Sequence, residues 1–325
     1  MNSPSGRIAW IKAKGGMGNR MLCAASGMLW AELAGRVPFI DWRDDAYSLE
    51  RENSIFHFFD PPGALREPPL TEGRDVVPAV WEGRLESPLA EAIQADDPSL
   101  HSSAFAHRRY SIDARRTDQL EAIAVFWHYT GRFEQLASRA AGPLEIRTAS
   151  LRSVIGAAMK RYLPPVPSLR DRIDRFRNRS FGERTVGVHV RYTDRTTNLD
   201  RLLAETARLA GKIDADTVFL ATDNAIVSER FASAFPRVVE TEKWLPEPGQ
   251  VMHQNAACAD RKENGMEALT DMNLLAACAG LVYASRSTFS VLSHCMGEFK
   301  PGTVIDIDRR DPKIIARKLA RRVIA

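Results

Sequence analysis

Residues 187–196, GVHVRYTDRT, place side chains capable of ligand chemistry directly after an apolar run. The run TVGVHV predicts a β-strand, and side-chain alternation puts His189 and Arg191 on one side of its end, with Asp194 in the following loop. An arginine can bond two oxygens of a diphosphate at once, and an aspartate can orient an arginine or a ribose hydroxyl. The pattern predicts an anion-binding site; an internal salt-bridge network of the three side chains is the alternative.

Two further predicted strands also end in polar side chains. Asp223 follows the apolar stretch VFLAT, and Ser287 and Thr288 stand at the start of a predicted helix. Backbone N–H groups at a helix N-terminus bind phosphate, although Ser287 or Thr288 could serve only as the helix cap. Because the carboxyl ends of parallel strands lie at one edge of a sheet, we expect these side chains to converge with His189 and Arg191. Convergence of three polar strand ends favours a ligand site.

A glycine-rich loop, GGMGNR, lies between the first predicted strand and the first predicted helix. Its backbone N–H groups could face an anion, which makes Gly16 and Asn19 candidate donor-binding residues. The loop lacks the G-x-G-x-x-G spacing of dinucleotide-binding folds and the Lys-Ser/Thr pair of a phosphate loop. A ligand loop and a tight strand-to-helix turn are both compatible with it.

Strand and helix patterns alternate in both halves of the chain. In the first half they predict strands at 7–13 and 37–42, a helix at 21–36, a loop-rich stretch after Trp42, and helical periodicity at 117–140 and 149–163. The proline-rich stretch PPVPS follows. From residue 185 strands and helices alternate again, with predicted strands at 185–190, 217–222 and 237–241 (RVVET) and a predicted helix at 199–213. We predict an α/β protein with two Rossmann-like open α/β domains, residues 1–165 and 166–325, facing a cleft.

Composition excludes several classes of protein. The chain has 325 residues, 44% of them hydrophobic, and a formal net charge of only +4, which argues against a basic coat for nucleic acid. No window has the apolar length of a signal peptide or a membrane span, so we expect a soluble, cytoplasmic protein without an integral membrane segment. The four cysteines form no C-x-x-C pair and are expected to be buried thiols.

Ordered motifs in the C-terminal half resemble those of glycosyltransferase family 23. The stretches HVRYTD, VFLATDN, GMEALTDMNLLAACAGLVYAS and STFS are similar to motifs of the rhizobial nodulation-type and N-glycan core α1,6-fucosyltransferases, which belong to the O-fucosyltransferase-like superfamily. GGMGNRM and GRVPFIDWRDDAY near the N-terminus also resemble the rhizobial members. The resemblance implies a GT-B architecture, GDP-fucose as donor substrate, inversion at the anomeric carbon, no metal and no separate cofactor.

The resemblance also implies roles for single residues. Arg191 matches the motif arginine, so it is expected to bind the donor diphosphate and stabilise it as it leaves. The donor site is expected to include His189, Asp223, Asp271 and Ser287 as well. Thr288, Gly16 and Asn19 join this donor-site prediction from the residue pattern alone.

Two positions depart from the family pattern and leave the catalytic base open. Tyr192 stands where the family commonly has a second arginine, and Leu199 stands where the animal enzymes have a proposed glutamate base. A carboxylate is required to take the proton of the acceptor hydroxyl. Asp194 and Asp200 are the predicted catalytic carboxylates, and the N-terminal candidates are Asp41, Asp44 and Asp45.

The sequence thus predicts an inverting, metal-independent glycosyltransferase that moves fucose from GDP-fucose to a hydroxyl of a glycan or glycoconjugate acceptor. The alternatives are a transferase using another GDP- or UDP-sugar and a catalytically silent nucleotide-sugar-binding protein. Asp306 and Asp308 resemble a metal-binding D-x-D pair, but they end a predicted strand, so we expect no metal there. Trp42, beside the acidic run, is a candidate for stacking on a sugar.

Overall fold

The computed structural model describes residues 6–101, 105–129, 136, 150–192, 198–245 and 258–309. The chain divides into two compact units between Pro164 and Pro165. We call the N-terminal one unit 1 and the C-terminal one unit 2. Each unit contains a parallel sheet with helices, so the predicted α/β class is confirmed.

The sheet of unit 1 has the strand order β2-β1-β4-β3 and is parallel throughout. Its strands are β1 (Ile8–Lys12), β2 (Val37–Asp41), β3 (Val76–Val77) and β4 (Ile123–Phe126). The helices described in this unit are α1 (Met17–Leu33), α2 (Ile55–Phe58), α3 (Leu89–Asp96), α4 (Ala106–Tyr110) and α5 (Leu151–Tyr162), with two short 3₁₀ helices at Ala79–Trp81 and Pro98–Leu100. The central strand β1 is buried along its whole length.

Helix α1 packs closely on β1 because the sequence allows it. Gly15, with φ of +82°, makes the turn out of the strand, a conformation that favours glycine. Further along the helix, a Cβ at Gly27 would come within 2.7–2.9 Å of the Ile11 side chain. Glycine at this position therefore permits the close approach of helix and strand.

Strand β4 corrects the sequence analysis, which predicted helical structure over 117–140. Residues Ile123–Phe126 instead form a fully buried strand between β1 and β3. The segment IAVF is a short, uninterrupted apolar run, which is typical of a strand covered on both faces and carries no alternation to reveal it. Of the remaining stretch, residues 130–135 and 137–140 lie outside the described part of the chain.

The sheet of unit 2 has the strand order β7-β6-β5-β8-β9 and is also parallel. Its strands are β5 (Thr185–Val190), β6 (Thr217–Thr222), β7 (Val238–Val239), β8 (Gly280–Tyr283) and β9 (Val304–Asp306). Its helices are α6 (Pro167–Ser180), α7 (Leu199–Ile213), α8 (Ala225–Ala234), α9 (Arg261–Ala276) and α10 (Thr288–Met296). The chain leaves β5 towards β6 on one side and later returns to β8 on the other. The carboxyl end of β5 is therefore a topological switch point, where ligands of such sheets bind.

Two hydrophobic layers determine which way the side chains of β5 point. Val186, Val188 and Val190 pack in one layer with residues of α7 and α8. The opposite layer contains residues of α9, with α6 and α10 packed against it. Because strand side chains alternate, His189 faces the side of α9 and α10.

Among the described residues, no helix combines the length and the apolar character needed to span a bilayer. None of the four cysteines forms a disulfide; Cys23, Cys258 and Cys278 are buried and Cys295 is partly buried. Burial raises the pKa of the Cys23 thiol to about 12.

Candidate functional site

His189 joins the end of β5 to the first turn of α10. Its Nδ1 lies 2.5 Å from the hydroxyl oxygen of Ser290, and its ring stacks on Phe289 with 4.8 Å between the centroids. Burial lowers the pKa of His189 to about 3, with a further contribution from the positive charges of Arg191 and Lys243. The imidazole is therefore neutral at physiological pH, and Nε2 is the nitrogen that can bond a ligand.

Asp223 fixes the backbone at the end of β5. Its Oδ1 accepts a hydrogen bond of 2.8 Å from the backbone N–H of Tyr192, directly after Arg191. The Tyr192 side chain packs against the hydrophobic layer on the α7 side, which is the opposite side from His189. Alternation places Arg191 on the His189 side. The predicted arginine and histidine are thus brought together beside α10.

The N-terminus of α10 differs from those of α7, α8 and α9. Helices α7, α8 and α9 are capped by the side chains of Asn198, Asn224 and Asp260, which accept backbone N–H groups of the first turn. Ser287, the N-cap residue of α10, makes no such bond. Ser287 is only 5% exposed, and its hydroxyl has no hydrogen-bond partner. A buried hydroxyl without a partner at a helix N-terminus is an arrangement that an anion would complete.

Asp271 lies in a buried ion pair that the sequence analysis did not anticipate. One carboxylate oxygen accepts a 2.6 Å bond from the Thr241 hydroxyl, and the other is bonded to Lys243 Nζ. The side chains of Lys243 and Asp271 are each 7% exposed. Since the charge of Lys243 acts on His189, this pair adjoins the same edge of the sheet. Lys243 is two residues past the predicted strand RVVET, so the strand-end rule applied to the other strands could have found it.

The model of the nodulation protein Z (NodZ) family matches residues 156–322, more than half of the 325-residue chain. The chain belongs to the nodulation protein Z family. This membership confirms the predicted recognition and class, a glycosyltransferase of the fucosyltransferase type. Nodulation protein Z of Bradyrhizobium diazoefficiens is 23% identical to the chain over 338 residues, covering 95% of this chain and 83% of the relative.

Solved structures show the same fold. The crystal structure of NodZ α-1,6-fucosyltransferase soaked with GDP-fucose is similar with a TM-score of 0.62 at 21% identity, covering 90% of this chain and 93% of that one. A mutant of Arabidopsis thaliana FUT1 in complex with GDP has a TM-score of 0.54 at 15% identity, covering 92% of this chain and 70% of that one. At these identities the likeness establishes the fold of this NodZ-family chain.

The predicted catalytic carboxylates lie outside this cluster or outside the described residues. Asp194 belongs to residues 193–197, which the structure does not describe. Asp200 is in the first turn of α7, where its side chain is 86% exposed and pairs with Arg230 at 2.8 Å. Leu199, at the position of the glutamate in the animal enzymes, is buried in the hydrophobic layer of α7 and α8.

The glycine loop of this NodZ-family chain lies in unit 1. Gly16 is the N-cap of α1 without a side-chain cap bond, and Asn19 is partly buried in the first turn. Arg20, which follows, is buried, bonds the carbonyl of Gly15 at 2.7 Å and pairs with Asp44 at 2.5 Å. The donor-binding roles of Gly16 and Asn19 stay predictions.

The acidic run of unit 1 is used mainly within the protein. Asp41 is buried and bonded to Lys12 and Arg43 as well as to Trp10 Nε1, and these positive charges hold its pKa well below the ordinary value despite the burial. Asp41 is therefore a poor proton acceptor. The prediction that Trp42 stacks on a sugar is wrong, because Trp42 is fully buried and packs edge-on against Phe59.

Asp306 and Asp308, the D-x-D pair, accept hydrogen bonds from the turn that precedes α10. In the part of the chain that the structure describes, no three or more His, Cys, Asp or Glu side chains are grouped so that they could hold a metal ion. Metal independence stays a prediction.

Proposed function

We propose that this protein is a fucosyltransferase that transfers fucose from GDP-fucose to a hydroxyl of a glycan-type acceptor, with inversion and without a metal ion. The observation that carries the proposal is the buried, unpartnered Ser287 hydroxyl at the N-terminus of α10, tied to β5 by the bond between His189 and Ser290. Support comes from the NodZ crystal structure soaked with GDP-fucose, which shares the fold.

The chemistry of the donor explains the charges at this edge. Breaking the bond between fucose and GDP leaves negative charge on the β-phosphate, so a fixed cation and helix N–H groups there favour the transition state. Arg191 supplies the cation, and Ser287 and Thr288 present the helix N-terminus. His189 is neutral, so it suits an uncharged hydrogen-bonding group of the donor.

The remaining residues complete the proposal. Asp223 acts by holding the backbone beside Arg191. Asp271 acts together with Lys243, and Gly16 and Asn19 are assigned to the donor from unit 1. We propose the GT-B arrangement for the two units, supported by the similarity to NodZ over 90% of the chain, and a cytoplasmic location.

The proton acceptor is proposed to be Asp194, with Asp200 as the alternative. The high exposure of Asp200 and its ion pair with Arg230 make it the weaker candidate, because an exposed carboxylate in water gains little from its surroundings. The matched variants Asp194→Asn and Asp200→Asn separate the two. We expect a loss of about 100-fold in kcat for the first, in the range of general-base catalysis, and a change below about twofold for the second.

The direct test of the donor is a calorimetric titration of the folded protein with GDP in the presence of a chelator, with UDP and NAD as controls. We expect GDP binding that does not need a metal, followed by transfer of fucose from GDP-fucose in a screen of glycan acceptors. Preference for UDP would replace the donor. Tight GDP binding without any transfer would support a silent nucleotide-sugar-binding protein.

A further inference from the structure

The turn between β8 and α10 is held by two aspartates from the end of the neighbouring strand β9. Asp306 Oδ1 accepts hydrogen bonds from the backbone N–H groups of Ser285, at 3.1 Å, and Asp308, at 2.9 Å. One carboxylate oxygen therefore ties the end of β9 to the turn.

Asp308 holds the next residue of the same turn. Its carboxylate accepts the backbone N–H of Arg286 at 3.1 Å and the guanidinium of Arg286 through Nη2 at 2.7 Å and Nε at 3.1–3.2 Å. The Asp308 side chain is only 3% exposed. A bidentate pair on a buried carboxylate fixes both the backbone and the side chain of Arg286.

Ser287 follows Arg286 directly in the chain, so the bonds that fix Arg286 also restrict the position of Ser287. Its own backbone N–H closes the turn on the carbonyl of Ala284 at 3.1 Å, and its buried hydroxyl has no partner. The two aspartates thus set the position of the hydroxyl and of the first turn of α10. A preorganised anion site requires such support, because N–H and O–H groups misplaced by about 1 Å bind and catalyse far less well.

We propose that Asp306 and Asp308 are positioning residues for the phosphate-binding turn of the donor site and that the D-x-D resemblance reflects this role. The inference rests on the proposed function, since it requires a donor diphosphate at the N-terminus of α10. Neither aspartate is proposed to touch the donor.

The sign of the effect separates positioning from simple electrostatics. Removing a negative charge near a diphosphate strengthens its binding if the carboxylate only repels it. Loss of a positioning residue weakens binding, because the turn becomes free to move. Asp308 uses both carboxylate oxygens on Arg286, and an asparagine has only one acceptor oxygen. For Asp308→Asn we therefore expect GDP binding to weaken about tenfold, while the affinity for GMP, a ligand without a β-phosphate, changes less than about twofold.

The experiment is a calorimetric comparison of GDP and GMP on the full chain and its variants. Asp306→Ala should weaken GDP binding about as much as Asp308→Asn does. Asp306→Asn should keep the GDP affinity of the parent, because the amide oxygen can still accept both N–H bonds. Asp214→Asn is the matched control, since Asp214 forms an exposed pair with Arg184 in the same unit and should leave GDP binding unchanged. Arg286→Lys is a milder second variant if Asp308→Asn lowers the unfolding temperature.

The outcomes are distinct. If the parent protein does not bind GDP, the proposed function fails. If the parent binds GDP and both single variants, Asp308→Asn and Arg286→Lys, bind it as tightly or more tightly, the positioning role is overturned and the donor assignment stands. An equal loss of GDP and GMP affinity would also overturn it, because that result indicates general loss of structure.

Discussion

The carboxyl edges of the two sheets are built from similar residues but use them differently. In unit 1, charged side chains satisfy one another: Asp41 pairs with Lys12 and Arg43, and Arg20 pairs with Asp44, with one Arg20 nitrogen left unpartnered. In unit 2 the edge also contains an ion pair, Lys243 with Asp271, but it adds a neutral histidine and a helix N-terminus whose buried N-cap hydroxyl has no partner. Polar residues at a strand end therefore do not by themselves indicate a ligand site. What indicates a ligand site is a buried polar group that the protein itself leaves without a hydrogen-bond partner.

The largest expected effect is a loss of stability when an ion pair at the carboxyl edge of unit 1 is broken. Asp41→Asn removes the counter-charge of buried Lys12, and breaking one partner of a buried pair costs about 3–5 kcal/mol. Chemical denaturation should show this loss while GDP affinity changes less than about twofold. Asp60→Asn is the control, since Asp60 forms an exposed pair with Arg66 and its loss should cost less than about 1 kcal/mol. A stable Asp41→Asn variant with weakened GDP binding would instead make this edge a ligand site.

The second prediction concerns Arg191 at the carboxyl edge of unit 2. Arg191→Ala should lower kcat of fucose transfer by about 10²–10³-fold, the usual cost of removing one group that stabilises the leaving charge, with an unchanged unfolding temperature. Arg184→Ala, which removes an arginine from an exposed pair in the same unit, should keep full activity. Unchanged turnover in Arg191→Ala would remove Arg191 from the mechanism.

The third prediction concerns the buried ion pair of Lys243 and Asp271 beside the proposed donor site. Lys243→Met leaves the carboxylate of Asp271 without its counter-charge, so the site becomes more negative, and we expect GDP to bind about tenfold more weakly. The double variant Lys243→Met with Asp271→Asn restores neutrality and should recover most of the affinity. Failure to recover would indicate that Asp271 itself contacts the donor.

The sequence predicted most of unit 2 because local signals agree there. β5, β6 and α7 match their predicted bounds, since the strands are compact apolar runs and α7 has an amphipathic pattern between a capping Asn198 and a left-handed Asp214. Unit 1 was harder. Strand β4 lacks the alternation that reveals a strand, and the burial of Trp42 depends on distant contacts.

The site was predictable in its residues but not in their states. His189, Arg191 and Ser287 follow from strand ends and from the resemblance to known motifs. A strand-end pattern can suggest Lys243 but not its partner, because the pairing joins residues 28 positions apart. The unpartnered state of the Ser287 hydroxyl likewise becomes visible only when all its neighbours are placed.

The last prediction tests the neutral state of His189 through the pH dependence of stability. The folded protein holds the pKa of His189 near 3, whereas an unfolded chain has a histidine pKa near 6.5. Below about pH 6.5 the histidine binds a proton in the unfolded state but not in the folded state. The free energy of unfolding therefore falls on acidification by up to about 1.4 kcal/mol per pH unit. His189→Gln removes this contribution, so its unfolding free energy should fall less steeply than that of the parent between about pH 6 and 4. At pH 8 both states hold a neutral imidazole, so the difference between parent and variant there measures only the lost bond to Ser290 and the lost stacking on Phe289. Equal slopes in the two proteins would mean that His189 is charged or solvated in the folded state, and the edge of unit 2 would then have to be regarded as a charged network like that of unit 1.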